Sequence, residues 1–197
     1  MRMRTAQIVT CGIFCGLTTL TSALRAAPDA PAPPLNYGRS ITALLGGKKA
    51  DRSQVMLRVE KSKFLLTLFY RGRALKSYPV VLGRDPVHDK LCEGDGCTPE
   101  GQFKVVEIRL PHRWSKFLLL NYPTAASRKH FSEAVRSGRL PRTAGIGGTI
   151  GIHGVPKGCD SAIDVRQNWT AGCISLKTRD INEIAGVCRR GTPVKIE

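Results

Sequence analysis

Acidic residues are scarce in this chain: 15 Asp and Glu stand against 31 Lys and Arg, a formal net charge of +16 over 197 residues. A balance so one-sided points to an anionic partner or habitat and says nothing about fold. Nucleic acid is the first partner to consider, but there is no dense basic run and no recognisable nucleic-acid module. The lysines and arginines are spread from end to end, a distribution that suits peptidoglycan, lipopolysaccharide or another anionic envelope polymer at least as well. No internal repeat is visible, and helical stretches are few.

The N-terminus speaks for export. Arg2 and Arg4 precede an uncharged stretch from Ile8 to Leu24, followed by the small residues Ala26 and Ala27. That order reads as a cleavable secretory signal over residues 1–26, cut somewhere between 23 and 27. The stretch is long enough to approach a membrane span. Thr10, Thr18, Thr19, Thr21 and Ser22 dilute its hydrophobicity, so removal is expected, with no stable span left behind. Residues 27–53 then read as a Pro-rich linker and an N-terminal segment, with a short helix around Ile41 to Leu45.

From residue 54 to 197 the texture is that of one domain built from short strands. Val55–Val59 and Lys63–Tyr70 form a hairpin signal, and Ala74–Leu82 follows as a third strand ending at Gly83. Residues 84–100 carry Asp, Gly and Pro and read as a loop. Strands are expected at Gln102–Arg109, Phe117–Asn121, Thr149–His153, Gly172–Leu176 and Pro193–Ile196. Helices are expected at Ser127–Ser137, with Ser127 as cap, and at Asp180–Arg189. The fold class is therefore mostly β with a few short helices, a sandwich or barrel-like domain.

Two residues carry the chemistry. Along Thr149–His153 the alternation puts Ile150 and Ile152 on one face, with Gly151 and His153 on the other. A lone histidine at a strand end is ordinarily a polar surface residue. Cys173 changes its meaning: it follows Gly172 at the start of an apolar strand, where backbone N–H groups can face a developing oxyanion. A thiol needs a neighbouring base to act as a nucleophile at neutral pH, and His153 lies twenty residues upstream.

His153, a sixteen-residue spacer that begins with Gly154, and then Thr170-Ala171-Gly172-Cys173 resemble the signature of the L,D-transpeptidase (YkuD-type) catalytic domain. That signature is a histidine, a spacer of similar length and Ser/Thr-His-Gly-Cys. Thr98-Pro99-Glu100-Gly101, Gly145 to Gly154 and the closing Gly191-Thr192-Pro193-Val194 resemble the family as well. The resemblance implies an enzyme without cofactor or metal, acting on peptidoglycan stem peptides in the periplasm or cell envelope. Cys173 would attack the carbonyl between the third and fourth residues, with His153 as base, and transfer the peptide to an amine. Hydrolysis of the same thioester, and an inactive peptidoglycan-binding module, are the alternatives. Gly172 and Gly154 are expected to serve the oxyanion or orient the histidine through their backbones. Thr170, Ser175, Tyr122 and Trp169 are candidates for lining the substrate cleft. The chain departs from the signature at Ala171, where a second histidine is usual, and at Ser175, where a carboxylate-binding Arg or Asn is frequent.

Removal of Cys11 and Cys15 with the signal leaves five cysteines, an odd number in an oxidising compartment. With Cys173 as the reactive thiol, disulfides are expected between Cys92 and Cys97 and between Cys159 and Cys188. The alternatives are that Cys159 and Cys188 stay free or that Cys159 pairs with Cys173.

Overall fold

The computed structural model describes residues 33–112 and 114–197. The expected signal segment and most of the Pro-rich linker lie outside these residues. The alternating apolar residues of β1 (Val55–Glu60) bury Val55, Leu57 and Val59 on one face. It pairs antiparallel with β2 (Leu65–Tyr70), and β2 with β3 (Arg73–Pro79). On the other side β1 pairs in parallel with the C-terminal β8 (Pro193–Ile196), whose Val194 and Ile196 point inward. The last strand of the chain thus sits mid-sheet, between β1 and β4 (Gly101–His112). β5 (Ser115–Leu120), β6 (Gly151–Gly154) and β7 (Ile174–Leu176) complete eight strands in the order β3-β2-β1-β8-β4-β5-β6-β7.

The sheet nearly closes on itself. Beyond β3 the chain continues to Val81, which exchanges two backbone hydrogen bonds with Ser175 of β7, at 2.9 and 2.8 Å. Barrel-like closure covers the strand edges that an open sheet would expose. Helix α2 (Ala125–Arg136) is capped by Thr124, whose hydroxyl accepts from the Ser127 N–H, so Ser127 lies inside the first turn rather than at the cap. A short α3 (Ser161–Asp164) lies in the connection after β6. Helix α4 (Thr178–Val187) lies across β5 and β6 and buries Ile181 and Ile184. No helix among the described residues is long and apolar enough to cross a membrane.

The segment before β1 is part of the fold. After α1 (Ile41–Leu44), Arg52–Gln54 makes a 3-10 turn into β1. Tyr37 donates its hydroxyl to Asp180 Oδ2 at 2.7 Å. Glu183 accepts from the Ile41 N–H (2.7 Å), Lys76 Nζ (2.7 Å) and the Tyr78 hydroxyl (2.9 Å). Lys76 is buried, so this carboxylate is its essential partner.

The expected disulfides are not formed: Cys92, Cys97, Cys159, Cys173 and Cys188 are all free thiols. Cys188 is fully buried in the main core while Cys159 is exposed, so the two face different environments. The Cys92–Cys97 loop is organised instead by Asp95. Its carboxylate accepts from the N–H groups of Leu91, Cys92 and Cys97 and from Lys90 Nζ, at 2.7 to 2.9 Å.

Candidate active site

Pairing across β4 to β7 puts Arg109 opposite Phe117, Phe117 opposite His153 and His153 opposite Ser175. Directly paired residues share a face, so these four form one row across the sheet. Ile150 and Ile152 occupy the core face, as the alternation requires. Within the row the Arg109 guanidinium lies 5.8 Å from the Phe117 ring centroid. The Phe117 and His153 rings are nearly parallel with centroids 5.6 Å apart. Trp114, from the β4–β5 turn, stacks on His153 at 4.6 Å, and Trp169 meets it edge-on at 5.6 Å. Gly151 makes room for this arrangement, since a Cβ there would stand 2.5 Å from the Phe117 ring.

His153 is 1% exposed, and its Nδ1 lies 2.7 Å from the Gly154 carbonyl oxygen. A carbonyl can only accept, so Nδ1 carries a proton, and in the neutral form of the ring Nε2 is the acceptor nitrogen. Gly154 in turn donates its N–H to the Trp114 carbonyl at 3.0 Å. A Cβ at Gly154 would come within 2.6 Å of that same oxygen. The strand end that aims the imidazole is therefore closed to any larger residue.

The turn that presents Cys173 is held by Thr170. Its hydroxyl donates to the Cys173 carbonyl at 2.7 Å and accepts from the Gly172 N–H at 3.1 Å. Gly172 has φ +135°, a conformation reserved for glycine, and a Cβ on it would stand 2.6 Å from the Cys97 carbonyl oxygen. The Cys173 thiol points at the Thr149 carbonyl, 3.6 Å away. Thr149 itself has φ +54°, unusual for a β-branched residue. Burial pushes the Cys173 thiol above its ordinary pKa, and the Gly151 N–H and the Lys90 charge offset this only in part. The thiol therefore rests protonated, and the site needs a base.

His153, Cys173, Thr170 and Trp169 line one pocket of about 560 Å³. Two of the expected substrate-contacting residues are placed elsewhere. Ser175 is fully buried, with a hydroxyl that has no hydrogen-bond partner. Tyr122 donates to the Ile146 carbonyl at 3.2 Å and lines a different cavity. Thr170 touches the pocket, but its hydroxyl is already used within the turn. The Gly172 N–H, expected to face the oxyanion, is donated to Thr170 Oγ1 instead, while the Gly154 carbonyl, expected to orient the histidine, does receive Nδ1 of His153. The pocket also takes in Arg84, Arg109, Trp114, Phe117 and Thr149, which the sequence did not single out. Register would have found Arg109 and Phe117, but register is set by pairing between strands far apart in sequence.

Residues 54–196 match the YkuD family, the L,D-transpeptidase catalytic domain. The chain belongs to that family. Over 179 residues, 91% of this chain and 87% of the relative, it is 26% identical to a Bacillus licheniformis protein carrying the name L,D-transpeptidase YkuD. Among solved structures it is similar to the helical cell shape determining protein Pgp2 from Campylobacter jejuni. That match has a TM-score of 0.53 and 22% identity, over 73% of this chain and 47% of that one. Bd1075 of Bdellovibrio bacteriovorus matches with a TM-score of 0.50 and 19% identity, over 73% and 48% of the two chains. The chain spans about half the length of these two solved relatives, and at such identities the likeness is one of fold.

Proposed function

We propose that this member of the L,D-transpeptidase family is an exported, cysteine-dependent acyltransferase acting on peptidoglycan stem peptides. The observation that supports this reading is the His153 Nδ1 contact with the Gly154 carbonyl in the pocket that also holds the half-buried Cys173 thiol. With Nδ1 tied to the Gly154 carbonyl, Nε2 is the nitrogen assigned to take the Cys173 proton in the same pocket. Attack of the sulfur on the carbonyl between the third and fourth stem-peptide residues forms a tetrahedral oxyanion. The Cys173 N–H is the turn amide assigned to that oxygen, because the Gly172 N–H is engaged with Thr170. The imidazolium of His153 returns its proton to the leaving amine, and the C–N bond breaks to leave a Cys173 thioester. An amine acceptor then gives its proton to His153 and attacks the thioester, forming the new amide and regenerating the thiol. Water in place of the amine gives the hydrolytic version of the same cycle.

Purified muropeptide tetrapeptide, incubated with and without an amine acceptor, tests the reading. The wild type is expected to release the fourth residue and to form cross-linked product only with the acceptor. Cys173→Ala and His153→Ala should each abolish both reactions while retaining the fold by circular dichroism. Turnover by Cys173→Ala would overturn the proposal.

A further inference from the structure

The aromatic pocket around His153 and Cys173 has a cation that the fold does not use. Four basic side chains among the described residues bear on this site. Lys90 is buried and paired with Asp95 at 2.9 Å. Arg109 is paired with Glu107 at 3.1 Å and lies over the Phe117 ring. His153 is the base. Arg84 is exposed at the pocket wall, and its guanidinium is in no ion pair among the described residues. Its backbone is fixed nonetheless: the Arg84 N–H donates to the Thr170 carbonyl at 3.1 Å, and Gly83 bridges to Thr170. The charge is thus carried by the strand edge that abuts the nucleophile's own turn. The position two residues after the cysteine cannot supply a charge, because Ser175 is neutral and 0% exposed.

We infer that Arg84 is the specificity-determining residue that grips the free terminal carboxylate of the leaving fourth residue. The inference rests on the acyl-transfer reading above. A carboxylate one residue beyond the scissile carbonyl falls within a single side chain's reach of the Cys173 turn. A planar guanidinium can hold it through two parallel charge-assisted hydrogen bonds.

The experiment compares two synthetic tetrapeptides, one with a free C-terminal carboxylate and one with a C-terminal amide, on wild type, Arg84→Ala, Arg84→Lys and Arg109→Ala. In the wild type kcat/KM should favour the carboxylate. Arg84→Ala should cut kcat/KM for the carboxylate peptide by about ten- to hundredfold and change the amide peptide less than about threefold. Arg84→Lys should recover part of the discrimination, and Arg109→Ala should keep it. Equal losses on both peptides, or discrimination that disappears with Arg109→Ala instead, would overturn the assignment. A wild type inactive on both peptides would overturn the acyl-transfer reading itself, a separate result.

Discussion

Gly172→Ala tests whether the fold or the substrate demands glycine before the nucleophile. Two costs act on the folded state. The backbone has φ +135°, where a Cβ is strained by about 1–3 kcal/mol. The new methyl would also stand 2.6 Å from the Cys97 carbonyl oxygen and 3.1 Å from Ile150 Cδ1, and such overpacking costs a further ~1–3 kcal/mol. Neither neighbour gives way easily, since one is backbone in the Asp95-organised loop and the other a core side chain. Together they predict a loss of roughly 2–6 kcal/mol. At about 2–4 °C per kcal/mol for a domain of this size, the thermal midpoint should fall by about 5–20 °C. Gly148→Ala is the control, because nothing lies within 4 Å of a Cβ there. Thermal unfolding by circular dichroism gives the stability, and the rate of Cys173 labelling by iodoacetamide reports the position of the turn. If Gly172→Ala melts with Gly148→Ala and labels at the wild-type rate, the packing argument fails, and the glycine serves only substrate approach.

Four other outcomes follow from the same geometry. Glu183→Ala should cost about 3–5 kcal/mol in chemical denaturation, because it strands the buried Lys76 ammonium; a loss under about 1 kcal/mol would mean the network is ornamental. Burial raises the Glu183 carboxyl, but hydrogen bonds from Lys76, the Ile41 N–H and Tyr78 outweigh it and leave the pKa below the ordinary value. Its contribution is therefore present above the unfolded pKa and lost as pH falls through the folded one. Glu183→Gln should flatten the drop in stability below about pH 4.3, and an unchanged acid limb would refute this. The half-buried Cys173 thiol, raised by desolvation, should show an alkylation rate still climbing above pH ~8.5, the ordinary cysteine value; a plateau reached by pH 7 would mean a resting thiolate. With no disulfide among the described residues, reductant should leave the thermal midpoint within about 1 °C and non-reducing mass mapping should find Cys92, Cys97, Cys159, Cys173 and Cys188 as thiols; a bridge between any two of them would contradict the structure.

Local pattern was legible in the sequence and long-range pairing was not. The alternation through Ile150, Gly151, Ile152 and His153 assigned both faces of β6, because side-chain direction in a strand depends only on the residue's own position. The hairpin of β1 and β2 was legible for the same reason. What escaped was the row from Arg109 through Phe117 and His153 to Ser175, which exists only once β4 to β7 have found their registers. Ser175 shows the consequence. Its place in the sequence marked it as a cleft residue, yet the Val81 segment closes the barrel over β7 and buries it completely.

The cysteines mark a second boundary of legibility, and the reason is chemical rather than topological. Counting five thiols after a secretory signal predicts bridges, because composition and compartment are all that such a count contains. It cannot register that one carboxylate can do a bridge's work. Asp95 accepts three backbone N–H groups and the buried Lys90 ammonium, so the loop that holds Cys92 and Cys97 is closed by charge-assisted hydrogen bonds. That loop supplies the Cys97 carbonyl against which Gly172 packs, and its Lys90 charge offsets part of the burial penalty on the Cys173 thiol. The Glu93-Gly94-Asp95-Gly96 stretch, which reads in sequence as the span of a small disulfide loop, is therefore a support of the nucleophile's turn. Asp95→Ala, which removes those bonds and leaves Cys92 and Cys97 intact, should loosen the site even under oxidising conditions. The expected result is faster alkylation of Cys173 with a lowered thermal midpoint, and wild-type values for both would assign the loop's order to something other than Asp95.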